Sequence, residues 1–221
     1  MNQQKPILIY CYDAYCGWCY GFSPVIKKIA DEYADKLQFE ILSGGMILPE
    51  QPMHIGMIAE YVSKAYHRVE EMTGIQFGND FLWHINHPDM SDWFLNSEKP
   101  AIAMCIFKQE LPERIFECAT DLQYALNYEG RDLTDDEAYR HLLEKYQLNA
   151  TDFYQKLHSD EFKKEAYDEF AIIKQWEISG FPAVLLQTAD GKLRWIASGF
   201  MPYEELQSAL DKVLLEYEQR N

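Results

Sequence analysis

Residues 6–12, "PILIYCY", form an unbroken apolar run bounded by polar neighbours, the pattern of a strand buried on both faces. A few residues later Phe22, Val25, Ile26, Ile29, Ala30 and Tyr33 recur at three- and four-residue intervals, which predicts a helix. "LQFEIL" (37–42) then alternates Leu37, Phe39 and Ile41 against Gln38 and Glu40, the period of a strand, and stops at a "SGG" turn. From Pro49 to about 159 the period is helical. Ile55, Ile58, Ala59, Val62, Ala65 and Val69 share one face that closes at Gly74; Ser97 with Pro100 predicts a helix start, Gly130 a stop, and Thr134 with Glu137 a capping box. Phe162, Ala166, Phe170, Ile173 and Trp176 mark another helix. It leads into "ISGFPAVLLQTADGKLRWIASG", read as strand, Asp-Gly turn and strand. Pro202 opens a last helix with Leu206, Ala209, Leu210, Val213 and Tyr217 inward. The expected order is βαβ, a long helical block, then αββα.

Composition narrows the partners. The chain has 221 residues and 48% hydrophobic content, enough to bury about 70% of its unfolded surface without metals or disulfides. Its formal charge of -16 argues against nucleic acid or an anionic membrane as a partner, since both reward clustered Lys and Arg. No stretch approaches the ~20 apolar residues of a membrane span. The opening "MNQQKPILIYCYDAYC" passes straight into the first strand without the pattern of a secretory leader, so the expected location is cytoplasmic.

The chemistry concentrates in "AYCGWCYGF" (14–22), where Cys16 and Cys19 lie two residues apart between the first strand and the first helix. In a reducing compartment such a pair is a metal ligand set or a redox switch rather than a structural bridge. A structural zinc site takes four ligands, but Cys11, Cys105 and Cys118 stand alone and His84 and His87 of "WHINHPDM" have no matching thiolate or carboxylate motif, so no metal site is expected. At a helix start, unpaired N–H groups and the helix dipole favour a thiolate on Cys16, which attacks a disulfide; Cys19, one turn on, resolves the mixed disulfide.

With these residues the chain resembles the thioredoxin superfamily, in particular its DsbA-like branch, the FrnE-like group related to 2-hydroxychromene-2-carboxylate isomerases. The resemblance rests on Cys16-Gly17-Trp18-Cys19 after the first strand, Pro24 in the following helix, and Gly180-Phe181-Pro182 ahead of the hairpin; "LSGGM" and "GRDLTDDEA" add to it. It implies an α/β thioredoxin-like fold, a mixed central sheet flanked by helices, over 1–48 and 160–221, with an all-helical insertion over 49–159. It further implies that Pro182 is a cis-proline facing the CxxC, and that Phe181 pairs through its backbone with the substrate chain. Trp18, Phe181 and Pro182 are then candidate substrate-binding residues beside catalytic Cys16 and Cys19. The expected activity is thiol–disulfide exchange on a peptide, protein or glutathione, with no required cofactor and glutathione as a candidate redox partner. Related isomerases and transferases generally carry Ser where this chain has Cys16, and Ser cannot form a disulfide. A glutathione-dependent isomerase or transferase, and a non-enzymatic adaptor, are the alternatives. The sequence does not set the oligomeric state or the direction of electron flow.

Other residues carry two readings each. Trp18 either gates the substrate or lids the sheet edge. Asp13 either relays protons near Cys19 or is a strand-end carboxylate that is solvated or capping. Gly44 and Gly45 either admit a backbone to the site or simply turn. Cys11, Cys105 and Cys118 read as buried small hydrophobes. The insertion is expected to cap the site, with 55–69 packed on 115–126 and Trp83, Trp93 and Phe94 lining the cap.

Overall fold

The computed structural model describes residues 5–50 and 53–219; residues 1–4, part of the stretch read for a leader, and 51–52, at the start of the insertion, lie outside them. The chain runs through β1 (Ile7–Tyr12), α1 (Gly17–Glu32) and β2 (Gln38–Ser43), the expected βαβ start. Next come β3 (Met53–His54), α2 (Gly56–Thr73), α3 (Asn79–Asn86), β4 (Phe94–Leu95), α4 (Glu98–Glu110), α5 (Ile115–Asn127), α6 (Arg140–Tyr146) and α7 (Ala150–Leu157). It ends with α8 (Asp160–Gln175), β5 (Ala183–Gln187), β6 (Leu193–Ser198) and α9 (Tyr203–Glu218). Among the described residues no helix is long and apolar enough to cross a membrane.

The main sheet has the order β2-β1-β5-β6. β1 pairs in parallel with β2 and antiparallel with β5, so the apolar run at 7–12 is the central strand its composition predicts. Alternation along β1 divides the core. Leu8, Tyr10 and Tyr12 face the side of α1, α9 and most of the insertion, whereas Ile9 and Cys11 face the other side with Leu42, Ile173 and Leu185. α4 is buried almost all round from Pro100 to Phe107, as befits a helix enclosed by α5, α7 and α8.

Three expectations about the insertion need correction. It is not all-helical: β3 and β4 pair as a two-stranded ribbon, too short to leave a period in the sequence. α2 (56–73) packs on α1 and α3, while α5 packs on α1 and α4, so the apolar faces of 55–69 and 115–126 do not bury each other. Thr134 forms no capping box. The 3₁₀ turn Asp136–Tyr139 is capped by Asp135, which accepts from the Glu137 amide at 3.1 Å, while Thr134 donates to Asp132. Asp in an Asx arrangement outcompeted the Thr one residue earlier.

A buried ion pair joins insertion to sheet. Lys108 on α4 contacts Glu169 on α8 and Glu40 on β2 (3.1 Å), and donates to the carbonyl of Ile41 at 3.1 Å. Glu169 also accepts from the Ser43 amide at 2.7 Å and from the Cys105 thiol at 3.5 Å. Charges this deeply placed depend on each other, and stranding one costs about 3–5 kcal/mol. Glu169→Leu is therefore expected to lower urea stability by about 3 kcal/mol. Adding Lys108→Met should recover at least half of that loss; simple additivity of the two losses would show that the pair is not coupled.

Candidate active site

The site is built where β1 ends. The chain turns through Asp13, Ala14 and Tyr15, the Cys16 amide donates to the Asp13 carbonyl at 3.1 Å, and α1 begins with Cys16 as its N-cap. The cap acceptor is the thiol sulfur itself: the Cys19 amide donates to Cys16 Sγ at 3.3 Å. One of the four orphan N–H groups of the helix start is thus aimed at the sulfur. Cys16 Sγ also lies 3.5 Å from the carbonyl oxygen of Phe181, a residue 165 positions away, and the Phe181–Pro182 peptide bond is cis. Cys16, Cys19, Trp18, Phe181 and Pro182 are therefore brought to one place, and Pro24 lies inside α1.

Accessibility separates the two cysteines. Cys16 is 8% exposed and Cys19 not at all. Burial, followed by the neighbouring Cys16, pushes the Cys19 thiol well above its ordinary pKa. Cys11 and Cys118 are buried thiols pushed up to about 12, chiefly by desolvation, and Cys105 is raised by burial and by Glu169. All three are buried, as expected of small core hydrophobes.

Asp13 is not solvated, but its carboxylate does cap the turn between β1 and α1. Its side chain is 2% exposed; Oδ1 accepts from the Tyr15 amide (3.0 Å) and the Ser97 hydroxyl (3.0 Å), and Oδ2 from the Met46 amide (2.8 Å). Desolvation raises its pKa and these three hydrogen bonds oppose the rise. Ser97 stands at the start of α4, as the sequence predicts, but spends its hydroxyl on Asp13 and on the Ile47 amide rather than on a helix cap. Gln123 is wholly buried and links the same region, donating to the Asp13 carbonyl and accepting from Ser23, whose hydroxyl also reaches the Cys19 carbonyl. Sequence reading missed this role of Gln123; a polar residue on the apolar face of 115–126 was its one visible signal.

A cleft of about 290 Å³ opens beside Cys16. Its walls come from Trp18, Phe181, Phe77 and Phe81 and from Ile58 and Val62 of α2. Among the described residues no charged side chain lines it. Helix α2 supplies one wall of the cleft beside Cys16, whereas Trp83, Trp93 and Phe94 are not among the residues that line it. Trp93 is buried and stacked on His84, and Trp83 stacks on His87. Among the described residues no group of three or more His, Cys, Asp or Glu is placed to hold a metal. Trp18 leans on Phe200 with ring centroids 5.9 Å apart and at the same time forms part of the cleft.

A strand, a CxxC at the start of the next helix and a cis X-Pro bond facing it define the class of thioredoxin-fold proteins. The chain belongs to the family of the DSBA-like thioredoxin domain, whose model matches residues 7–211. It is similar to a solved protein of Nitrosomonas europaea that carries a provisional assignment as a protein disulfide isomerase. The two are 27% identical with a TM-score of 0.83, over 97% of this chain and 100% of that one. The cytosolic disulfide reductase DsbM of Pseudomonas aeruginosa shares the fold at 24% identity and a TM-score of 0.74, over 94% of this chain and 98% of its own. A thioredoxin of Acidithiobacillus ferridurans is 40% identical over 38 residues, which are 17% of this chain and 35% of that protein, so the chain spans about a third of that relative's length.

Gly44 keeps the two halves of the site together. A Cβ on it would sit 2.2 Å from the Phe181 ring, so even alanine displaces the ring that flanks Cys16. Overpacking of this kind costs about 1–3 kcal/mol. Gly44→Ala is expected to slow exchange on a small disulfide about tenfold at this cost, while Gly44→Ala with Phe181→Ala recovers relative to the sum of the two single effects. Strict additivity in stopped-flow rates would show that Gly44 does not act through Phe181.

Proposed function

We propose that the protein is a thiol–disulfide oxidoreductase whose Cys16 exchanges with disulfides that present an uncharged or apolar group to the cleft. The observation that carries this reading is the position of Cys16 Sγ: beside the Cys19 amide at a helix start, beside the Phe181 carbonyl, and at the edge of an uncharged cleft. In the forward direction Cys16 thiolate attacks a substrate disulfide, a Cys16–substrate bond forms, and the other substrate thiolate leaves with the electron pair. Cys19 then attacks the Cys16 sulfur, closing Cys16–Cys19 and releasing the second substrate thiol. Two electrons pass from the dithiol to the substrate; the reverse sequence oxidises a dithiol.

Phe181 and Pro182 hold the substrate chain beside the sulfur in this reading, and Trp18 forms one wall of its pocket. Residues 1–48 and 160–221 act as the redox domain, with 49–159 as an insertion that supplies the opposite wall. Glutathione is a proposed redox partner: DsbM, which shares this fold, has been solved with GSH. In this chain the cleft offers no cation to glutathione's carboxylates, so sulfur and backbone contacts would hold it. The cytoplasmic location belongs to the same proposal, since lone buried cysteines suit a reducing compartment.

Limited alkylation of the reduced protein at mildly acidic pH should label Cys16 before any other cysteine, and Cys19→Ser should accumulate a mixed disulfide on Cys16. First labelling of Cys105 or Cys118 overturns the assignment. Saturable glutathione binding without any disulfide turnover would favour the isomerase or transferase alternative. Charge supplies a further check. With a net charge of -16, the protein repels oxidised glutathione, and salt screens the repulsion. Raising ionic strength from about 20 to 200 mM should speed attack on oxidised glutathione roughly threefold and leave an uncharged disulfide unaffected. Equal salt responses for both would place a cation at the site.

A further inference from the structure

On α5, Gln123 shares a buried face with Ala119 and Leu126, and its side chain is wholly enclosed. Its Nε2 donates to the Asp13 carbonyl at 3.4 Å, and its Oε1 accepts from the Ser23 hydroxyl at 2.9 Å. The partners settle this orientation of the amide, because the Asp13 carbonyl can only accept. Asp13 stands three residues ahead of Cys16, and Ser23 one turn after Cys19. One amide therefore touches both flanks of the redox motif.

Stability does not require that amide. The Asp13 carbonyl also accepts from the Cys16 amide at 3.1 Å, and the Ser23 hydroxyl also reaches the Cys19 carbonyl at 3.2 Å. Removing the Gln123 amide leaves each partner with a hydrogen bond, so neither is stranded. Methionine, unbranched and of similar length, fills the same space with no amide to desolvate. What Gln123 adds is a fixed separation between the turn before Cys16 and the helical turn that carries Cys19.

We propose that Gln123 is a positioning residue for the resolving half of the exchange. It holds the backbone on both sides of Cys16 and Cys19 in the arrangement from which Cys19 attacks the Cys16 sulfur. This rests on the exchange reading above. Attack on an outside disulfide uses Cys16 alone, at the edge of the cleft, with the Cys19 amide at its cap. Closure is intramolecular and needs both sulfurs in one geometry, since a disulfide tolerates little variation in the spacing of its Cα and Cβ atoms. The Asp13 carboxylate ties the same turn to Ser97 and Met46 rather than to α1, so it does not set that spacing. Gln123 does, through the Asp13 carbonyl on one side and Ser23 on the other.

The step balances without an outside reagent. Cys19 thiolate attacks the Cys16 sulfur; the Cys16–Cys19 bond forms and the Cys16–substrate bond breaks. The substrate thiolate leaves with the electron pair and takes up the proton that Cys19 released. Gln123 exchanges no proton and touches neither reacting sulfur. Its effect is on geometry, where a misplacement of about 1 Å costs up to about a hundredfold in rate.

Gln123→Met separates this role from a structural one. Reduced protein is mixed with excess bis(2-hydroxyethyl) disulfide, quenched in acid, and the mixed and closed disulfides are counted by mass spectrometry across a pH series. In the variant, formation of the Cys16 mixed disulfide should stay within about twofold of wild type. Its resolution should slow about tenfold at every pH, with the midpoint of the pH profile unmoved. The urea midpoint should match that of wild type. Ser23→Ala, which removes one limb of the clamp, should slow resolution about threefold, and adding it to Gln123→Met should cost nothing further. Losses that multiply in the double variant overturn the clamp. Unchanged resolution in Gln123→Met overturns the positioning role and leaves the exchange reading intact. A moved midpoint places the effect on the ionisation of Cys19, and a variant that unfolds assigns the amide to stability; each overturns it equally. Wild-type protein that forms no mixed disulfide overturns the exchange reading and this inference together.

Discussion

The antiparallel ladder between β1 and β5 is the constraint on which the rest depends. Its last pair is Cys11 with Ala183. Beyond that pair the two chains leave the sheet at the same end, one into the turn that starts α1, the other back through Pro182 to Phe181. Residues 165 positions apart meet there because the register leaves no alternative. A slip of one residue would exchange the two faces of β1 and put Tyr10 and Tyr12 where Ile9 and Cys11 now pack. Burial on both faces forbids that slip. Gly44, at the end of the neighbouring strand β2, completes the geometry by leaving room for the Phe181 ring.

Asp13 extends this constraint from the sheet to the insertion. Its carboxylate joins the β1–α1 turn, the loop after β2 and the start of α4 through three hydrogen bonds. Few single side chains could do so, because a carboxylate accepts several N–H and O–H donors at once. Burying it is costly, and the direction of its pKa shift shows that desolvation outweighs the hydrogen bonds. The arrangement holds the turn that carries Cys16, the loop after β2 and the start of α4 in one frame. α2 then stands opposite Cys16, lining the cleft with part of its apolar face while it packs on α1 and α3. Structure and chemistry meet at that face: the same residues that stabilise the insertion's contact with α1 decide what the sulfur can meet.

What the sequence made legible was local. The apolar run of β1, the helical period after Cys19, the Asp-Gly turn and the two cysteines each carry their pattern within a few residues. Gly180-Phe181-Pro182 supplied the long-range half of the site through the family resemblance, which implied a cis-proline facing the CxxC. The cleft was not legible in the same way. Ile55, Ile58 and Val62 have the spacing of any core face, and nothing in that spacing tells whether a helix or an open cavity covers them. Ser97 likewise looks like a helix cap, since only the fold brings Asp13 within reach of its hydroxyl.

The redox reading requires one two-electron couple in a protein with five cysteines. The direct measurement is equilibration of the protein across a series of thiol–disulfide buffers, followed by acid quenching, differential alkylation and peptide mapping. The account predicts a single transition in which Cys16 and Cys19 become linked to each other while Cys11, Cys105 and Cys118 stay thiols throughout. A protein that forms no Cys16–Cys19 disulfide at any buffer ratio, or one that pairs either residue with a core cysteine instead, would contradict it.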